Sequence, residues 1–211
     1  MENRLKALRK ELQARELDAM LVTSPTNRRY MSGFTGSAGN VLVTADRAML
    51  ITDFRYIEQA TAQAPLYQIV KHPGLIQETL AELLDEHQIK RLAFEEEDVT
   101  YKKYRSFLDA FGKCELIATN SIVEDLRIVK DASEIAIIEQ AIEIAEQAFT
   151  RLLPEIQSGI SEKQLAIKLE NYMRELGADG ASFTIIIASG ERSSLPHGTA
   201  SDKLLASGEL V

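Results

Sequence analysis

The sequence predicts an α/β fold: a first domain built on a mixed sheet, followed by an incomplete, helix-led α+β domain. Three observations carry this. Short apolar runs alternate with amphipathic segments over residues 1–118. Two of those runs, NVLVT (40–44) and AMLIT (48–52), flank the turn Ala45-Asp46-Arg47, a hairpin signal that makes neighbouring strands antiparallel. Beyond Thr119 the pattern changes to long helices announced by capping boxes.

Taken in order, Leu5, Leu8 and Leu12 recur at helical spacing, with Asn3 as the N-cap. AMLVT (19–23) reads as a buried strand, and the hairpin pair follows. Asp53 caps a helix running from Phe54 towards Ala64. YQIV (67–70), RLAF (91–94) and CELIA (114–118) are further strands, separated by crossover helices over 75–87 and 100–111. The polar stretch 119–131 reads as a hinge, with the domains drawn as 1–125 and 126–211. Asp131 and Glu134 then form a D-x-x-E capping box. The helix behind it has Ile135, Ile138, Ile142, Ala145, Phe149 and Leu152 on one face and Glu139, Glu143, Glu146 and Gln147 on the other. Pro154 and Gly159 end it. Ser161 and Gln164 repeat the box, Leu165, Leu169, Tyr172 and Leu176 mark a second helix, and Gly177 takes the C′ position. SFTIIIASG (182–190) reads as a strand. A lone strand cannot cover two such helices. The second part is therefore either small and poorly packed or incomplete, and incompleteness is the reading adopted.

Composition narrows the function classes. The 211 residues are 45% hydrophobic and 27% charged, with a formal net charge of −8. That sign argues against a nucleic-acid partner. Cys114 is the only cysteine, so no internal disulfide forms, which fits a reducing, cytoplasmic setting. It reads as a buried strand residue. No run approaches the roughly 18 apolar residues of a membrane span. The charged, amphipathic N-terminus lacks the apolar stretch of a signal peptide.

No H-E-x-x-H, P-loop or G-x-S-x-G pattern occurs. GFTGSAG (33–39) is glycine-rich, but a strand follows it where a phosphate cradle needs a helix N-terminus, so it reads as a tight-turn loop. Glu95-Glu96-Glu97-Asp98 diverge along the chain and read as a solvated acidic loop that favours the next helix. His72 and His87 read as structural. His197 stands apart: Pro196 fixes φ before it, and Gly198 removes a side chain after it. On those residues alone a loop histidine is more often inert than catalytic.

Four stretches, in this order, resemble the creatinase/aminopeptidase P/prolidase family of pita-bread Xaa-Pro metallopeptidases, and together they reach from end to end of the chain. YMSGFTGSAG (30–39) and ITDFRYIEQA (51–60) are similar to hallmarks of its N-terminal domain. LRIVKDASEIAIIEQA (126–141) is similar to the entry into its catalytic domain, and SFTIIIASGERSSLPHG (182–198) to its first catalytic strand and histidine loop. One departure is visible: the family often has an aspartate after the Ser-Phe pair, where this chain has Thr184.

The resemblance implies hydrolysis of the peptide bond before proline by a hydroxide bridging two divalent cations, Mn²⁺ foremost. It implies that SGELV (207–211) precedes the first metal-bearing strand. All five ligands would then fall after Val211, leaving this chain with no metal ligand, no bound cofactor and no activity of its own. It raises His197 to a catalytic residue, a donor to the substrate near the scissile bond but not a ligand. It also implies a homodimer, with Tyr30, Met31 and Phe34 as apolar anchors of the contact. The partner is then a proline-containing peptide, with neither nucleic acid nor membrane. Two alternatives stand beside it: a metal-free creatinase-like hydrolase using the same histidine as general base, and a non-catalytic peptide- or protein-binding module of the same fold.

Overall fold

Strands β1 (Ala19–Val22), β2 (Asn40–Thr44), β3 (Ala48–Thr52), β4 (Gln68–Lys71), β5 (Arg91–Glu95) and β6 (Glu115–Thr119) form one mixed sheet in the order β4-β3-β2-β1-β5-β6. The hairpin pairs Val41 with Leu50 and Val43 with Ala48. β1 is antiparallel to β2 and parallel to β5, and the outer pairs β3–β4 and β5–β6 are parallel. The computed structural model describes residues 1–211. They form two compact units, Met1–Val129 and Lys130–Val211.

In the first unit the inner strands are buried along their whole length because helices cover both faces of the sheet. Successive side chains point to opposite faces. Met20, Val22, Val41, Val43 and Leu50 meet Leu5, Leu8 and Leu12 of α1 (Glu2–Ala14) and Ile122 and Val123 of α6 (Ile122–Ile128). Ala19, Leu21, Leu42, Met49 and Ile51 meet Leu80 and Leu84 of α4 (Ile76–Glu86) and Phe107 of α5 (Tyr101–Ala110). Asp53 caps a short 3₁₀ turn that leads into α3 (Ile57–Gln63), accepting from Arg55 N–H at 3.0 Å. Helix α1 begins at Glu2, one residue before the expected cap. The Met1 carbonyl receives the N–H groups of Arg4 and Leu5, so the role given to Asn3 is corrected.

Two further helices depart from the sequence-based expectation. α2 (Pro25–Ser32) opens with proline in its first turn and ends at Gly33, which is left-handed at φ +79°. α6 occupies most of the stretch read as a polar hinge, and its Arg127 donates to Asn27 Oδ1 at 2.9 Å. Two of the three expected dimer anchors are also corrected. Met31, on α2, and Phe34, on the glycine loop, are wholly buried in the first unit's own core, whereas Tyr30 is partly buried and its hydroxyl donates to Leu126 O at 2.9 Å.

The second unit holds α7 (Ala132–Leu152) and α8 (Glu162–Glu175), packed on each other, and both capping boxes are formed. Its core is Leu152, Leu165 and Leu205, with Ile156, Ile160, Leu169, Tyr172 and Ile187 against it. The expected apolar face of α7 is half covered at best: Ile135, Ile138, Ile142 and Phe149 are 46–53% exposed. The strand expected at 182–190 is not formed. That segment makes a single bridge, Ile186 to Thr199, because a strand exists only as part of a ladder and no neighbour runs alongside it in this unit. No helix is long and apolar enough to cross a membrane.

Candidate functional site

His197 sits on a loop that leaves α8's neighbourhood at Ser189 and returns at Ser201. A 3₁₀ turn over Gly190–Ser194 starts it, with Gly190 at φ +56°. Gly198 N–H donates to Leu195 O at 3.2 Å, and Thr199 N–H to His197 O at 2.9 Å, which closes a tight apex around the histidine. The glycine after the histidine has a packing reason. A Cβ on Gly198 would stand 3.2 Å from Ala188 Cβ and 3.3 Å from Leu195 Cβ. The imidazole itself is exposed.

The loop's two roots converge on one carboxylate, Glu162, which is completely buried. Its Oε1 accepts from Ser189 N–H at 2.8 Å and Ser189 Oγ at 3.1 Å. Its Oε2 accepts from Ser201 N–H at 3.0 Å and Ser201 Oγ at 2.6 Å. Arg192 Nε lies 3.1 Å from Oε2, and Arg192 Nη2 donates to Thr199 O at 2.7 Å. Burial on its own would raise this carboxyl's pKa. The hydrogen bonds from the Ser201 hydroxyl, from the Ser189 and Ser201 amides and from the Ser189 hydroxyl outweigh it and hold the group at about 2. Lys203 Nζ donates to Ser189 Oγ at 2.8 Å and to Glu209 Oε1 at 2.6 Å, and it is chiefly this lysine that lowers the Glu209 pKa. Beside the loop lies an open groove of about 370 Å³, walled by Ala166, Ile167 and Glu170 of α8 and by Phe183, Thr184 and Thr199. Thr184, the departure from the family pattern, lines this groove.

Glu162 and Arg192 were missed in the sequence. Glu162 stands in the first turn of a helix, where an acidic residue ordinarily serves the helix dipole, so its pattern carries no sign of partners 27 and 39 residues away.

The other motifs resolve into structure. The acidic run is corrected: Glu95 is buried, not solvated. Its Oε2 receives the N–H groups of Thr23 and Ser24 at 2.5 and 2.7 Å, and its Oε1 the Asn27 amide at 2.7 Å, so it anchors the start of α2. Asp98 accepts from Thr23 Oγ1 at 2.6 Å. The glycine loop is clamped by buried Arg28, which donates to Gly36 O and Gly39 O at 2.6 Å each. His72 Nδ1 pairs with Gly74 O at 2.9 Å, and His87 ends α4. Cys114 is half-buried just ahead of β6, its thiol pKa pushed up chiefly by burial. No group of three or more His, Cys, Asp or Glu side chains is placed to share a metal ion.

Comparison with known proteins agrees with this architecture. Residues 4–129 match the creatinase/prolidase N-terminal domain, and residues 136–211 match metallopeptidase family M24. The chain is 49% identical over 92% of its length to the uncharacterized peptidase YqhT of Bacillus subtilis, covering 55% of that protein. It is 34% identical, along its whole length, to an Xaa-Pro dipeptidase of Pyrococcus furiosus, covering 59% of it. The structure of an Xaa-Pro dipeptidase from Bacillus anthracis superposes with a TM-score of 0.95 at 44% identity, over 99% of this chain and 58% of that one. The chain thus spans somewhat over half the length of these relatives. With the six-stranded mixed sheet, the capped helix pair and the histidine loop all in the expected order, the chain belongs to the creatinase/prolidase family.

Proposed function

We propose that the whole protein is an Xaa-Pro peptidase that cleaves the peptide bond before proline, and that His197 is a catalytic residue in it. The observation that supports the peptidase reading is similarity to Xaa-Pro dipeptidases along the chain, at 34% and 44% identity; the role of His197 is supported by its place on the exposed apex of a loop with hydrogen-bonded roots. Two divalent ions, manganese foremost, would supply the nucleophile and polarise the carbonyl in the whole protein. The side chains of these 211 residues do not form a site that fits such ions, so the ions' steps are not assigned to them.

What these residues supply is a histidine on a loop with immobilised roots and an exposed apex. An imidazole N–H in that position donates to the oxygen on which negative charge develops. The substrate is a proline-containing peptide. A homodimer and a cytoplasmic location complete the proposal; with Met31 and Phe34 buried, any dimer contact must use other residues.

The test is turnover of an Xaa-Pro dipeptide by the whole protein with Mn²⁺. His197→Ala should lower kcat by about 10²- to 10³-fold, the usual cost of one such donor, with metal content unchanged. The 211-residue chain should show no turnover. Full activity of His197→Ala, or stoichiometric Mn²⁺ binding by the 211-residue chain, would show the site to be misplaced. Peptide binding without turnover by the whole protein would replace this reading with the binding-module alternative.

A further inference from the structure

We infer that Glu162 is the positioning residue of the His197 loop, a single buried carboxylate that ties the loop's entry to its exit and so sets where the imidazole stands. The consequence for catalysis rests on the peptidase reading above; the tie itself does not.

An acidic residue in the first turn of a helix commonly serves that helix. Glu162 does not. The N-cap duty of α8 is carried by Ser161 and Gln164, whose side chains each bond the other's backbone N–H. Every acceptor position on the Glu162 carboxylate goes instead to the loop: Ser189 and Arg192 on the entry limb, Ser201 on the exit limb. A carboxylate this deeply buried is tolerated only when its charge and lone pairs are satisfied, and here the satisfying groups all belong to the loop.

Arg192 extends the tie towards the apex. Its Nε faces Glu162, while its Nη2 holds Thr199 O, two residues past His197. At the apex the side chains of His197 and Leu195 are exposed, so side-chain packing does little to fix the imidazole. The backbone there is held by buried Gly198, by the Thr199–Ile186 bridge and by the tie at the roots. Closing a flexible segment costs chain entropy, and charge-assisted hydrogen bonds at its two ends offset that cost before any substrate arrives. Pre-organisation of this kind is what a donor to a transient oxyanion requires.

The experiment uses the 211-residue chain and NMR. In E162Q the amide NH₂ would confront donors on one side of the site, so one arm of the tie is lost with almost no change in shape. Amide exchange at whichever of Ser189 and Ser201 faces the new NH₂ should accelerate by at least ~10-fold. The His197 ring signals should move to the position of an unstructured histidine, while amides of α8 from Leu165 to Arg174 keep their protection. If E162Q unfolds the second unit, S201A, which removes one hydroxyl donor, decides the matter through the same ring signals. Unchanged His197 signals in folded E162Q, or in S201A where E162Q does not fold, would overturn the inference. In the whole protein, E162Q should lower kcat with little change in KM. A whole protein without Xaa-Pro turnover would remove the peptidase reading and leave the NMR result standing.

Discussion

Phe34 shows how far one side chain can depart from its apparent role. In the sequence it is an aromatic in a glycine-rich loop, the profile of an exposed anchor. In the structure it is fully buried, edge-on to Tyr56 at 5.8 Å, under the Arg28 guanidinium. Phe34→Ala should therefore cost about 3–5 kcal/mol, read as a lower denaturant midpoint. Retained stability with weakened self-association would restore the surface role. Gly36 is the other half of this packing: a Cβ there would lie 2.1 Å from the tip of the Phe34 ring. Gly36→Ala should force that ring out and destabilise the first unit, whereas a neutral effect would mean the loop can shift. Glu95→Ala removes the acceptor of three donors at the start of α2 and should cost at least ~2 kcal/mol by chemical unfolding.

At the scale of elements, the capping boxes were legible because they are local: Asp131 and Glu134, or Ser161 and Gln164, are close enough in sequence to be read as one unit. Asp131→Ala should destabilise α7 by about 1 kcal/mol, detectable in a thermal melt followed by circular dichroism. The apolar period of α7 was legible too, but its burial was not, since a hydrophobic stripe states what a helix can cover and not what lies beside it. With Ile135, Ile138, Ile142 and Phe149 about half exposed, the 211-residue chain should bind a hydrophobic dye, and Ile138→Glu should reduce that binding. Equal dye uptake by the variant would place the binding surface elsewhere. α2 and α6 were hidden for a different reason. They are short, too short to show a clear helical period, and their stability comes from long-range partners: Glu95 for α2, and the side chains of α1 and Asn27 for α6.

At the scale of the whole molecule, the two units make separate predictions. We propose that the domain boundary lies within residues 119–131. Support comes from the units meeting at Val129–Lys130, with α6 holding Ile122 and Val123 in the first core. Limited trypsin digestion should cut after Lys130 and leave a resistant N-terminal fragment; cleavage spread evenly through β1–β6 would count against it. The second unit carries a pH dependence. The Glu162 pKa is about 2 in the folded chain against an ordinary 4.5. A carboxyl depressed by folding stabilises fully above its unfolded pKa and loses that contribution as pH falls from there towards the folded value. The melting temperature of the second unit should exceed that of E162Q at about pH 6, and the gap should narrow by about pH 3. A constant gap would mean that the carboxylate's charge contributes nothing.

The sequence by itself determined the alternation of strands and helices, the hairpin, the two capped helices, the family and the location of the histidine loop. All of these are written in residues that act on near neighbours or recur in a fixed order. The tertiary structure alone decided which polar residues are anchors. Glu95 and Glu162 look like ordinary acidic residues in the chain, yet each is buried and holds a segment remote in sequence. It also decided that Phe34 points inward and that residues 182–190 do not form a strand. The physical reason is the same in each case. Burial and strand pairing are properties of two partners brought together by the fold, and a single stretch of sequence names only one of them.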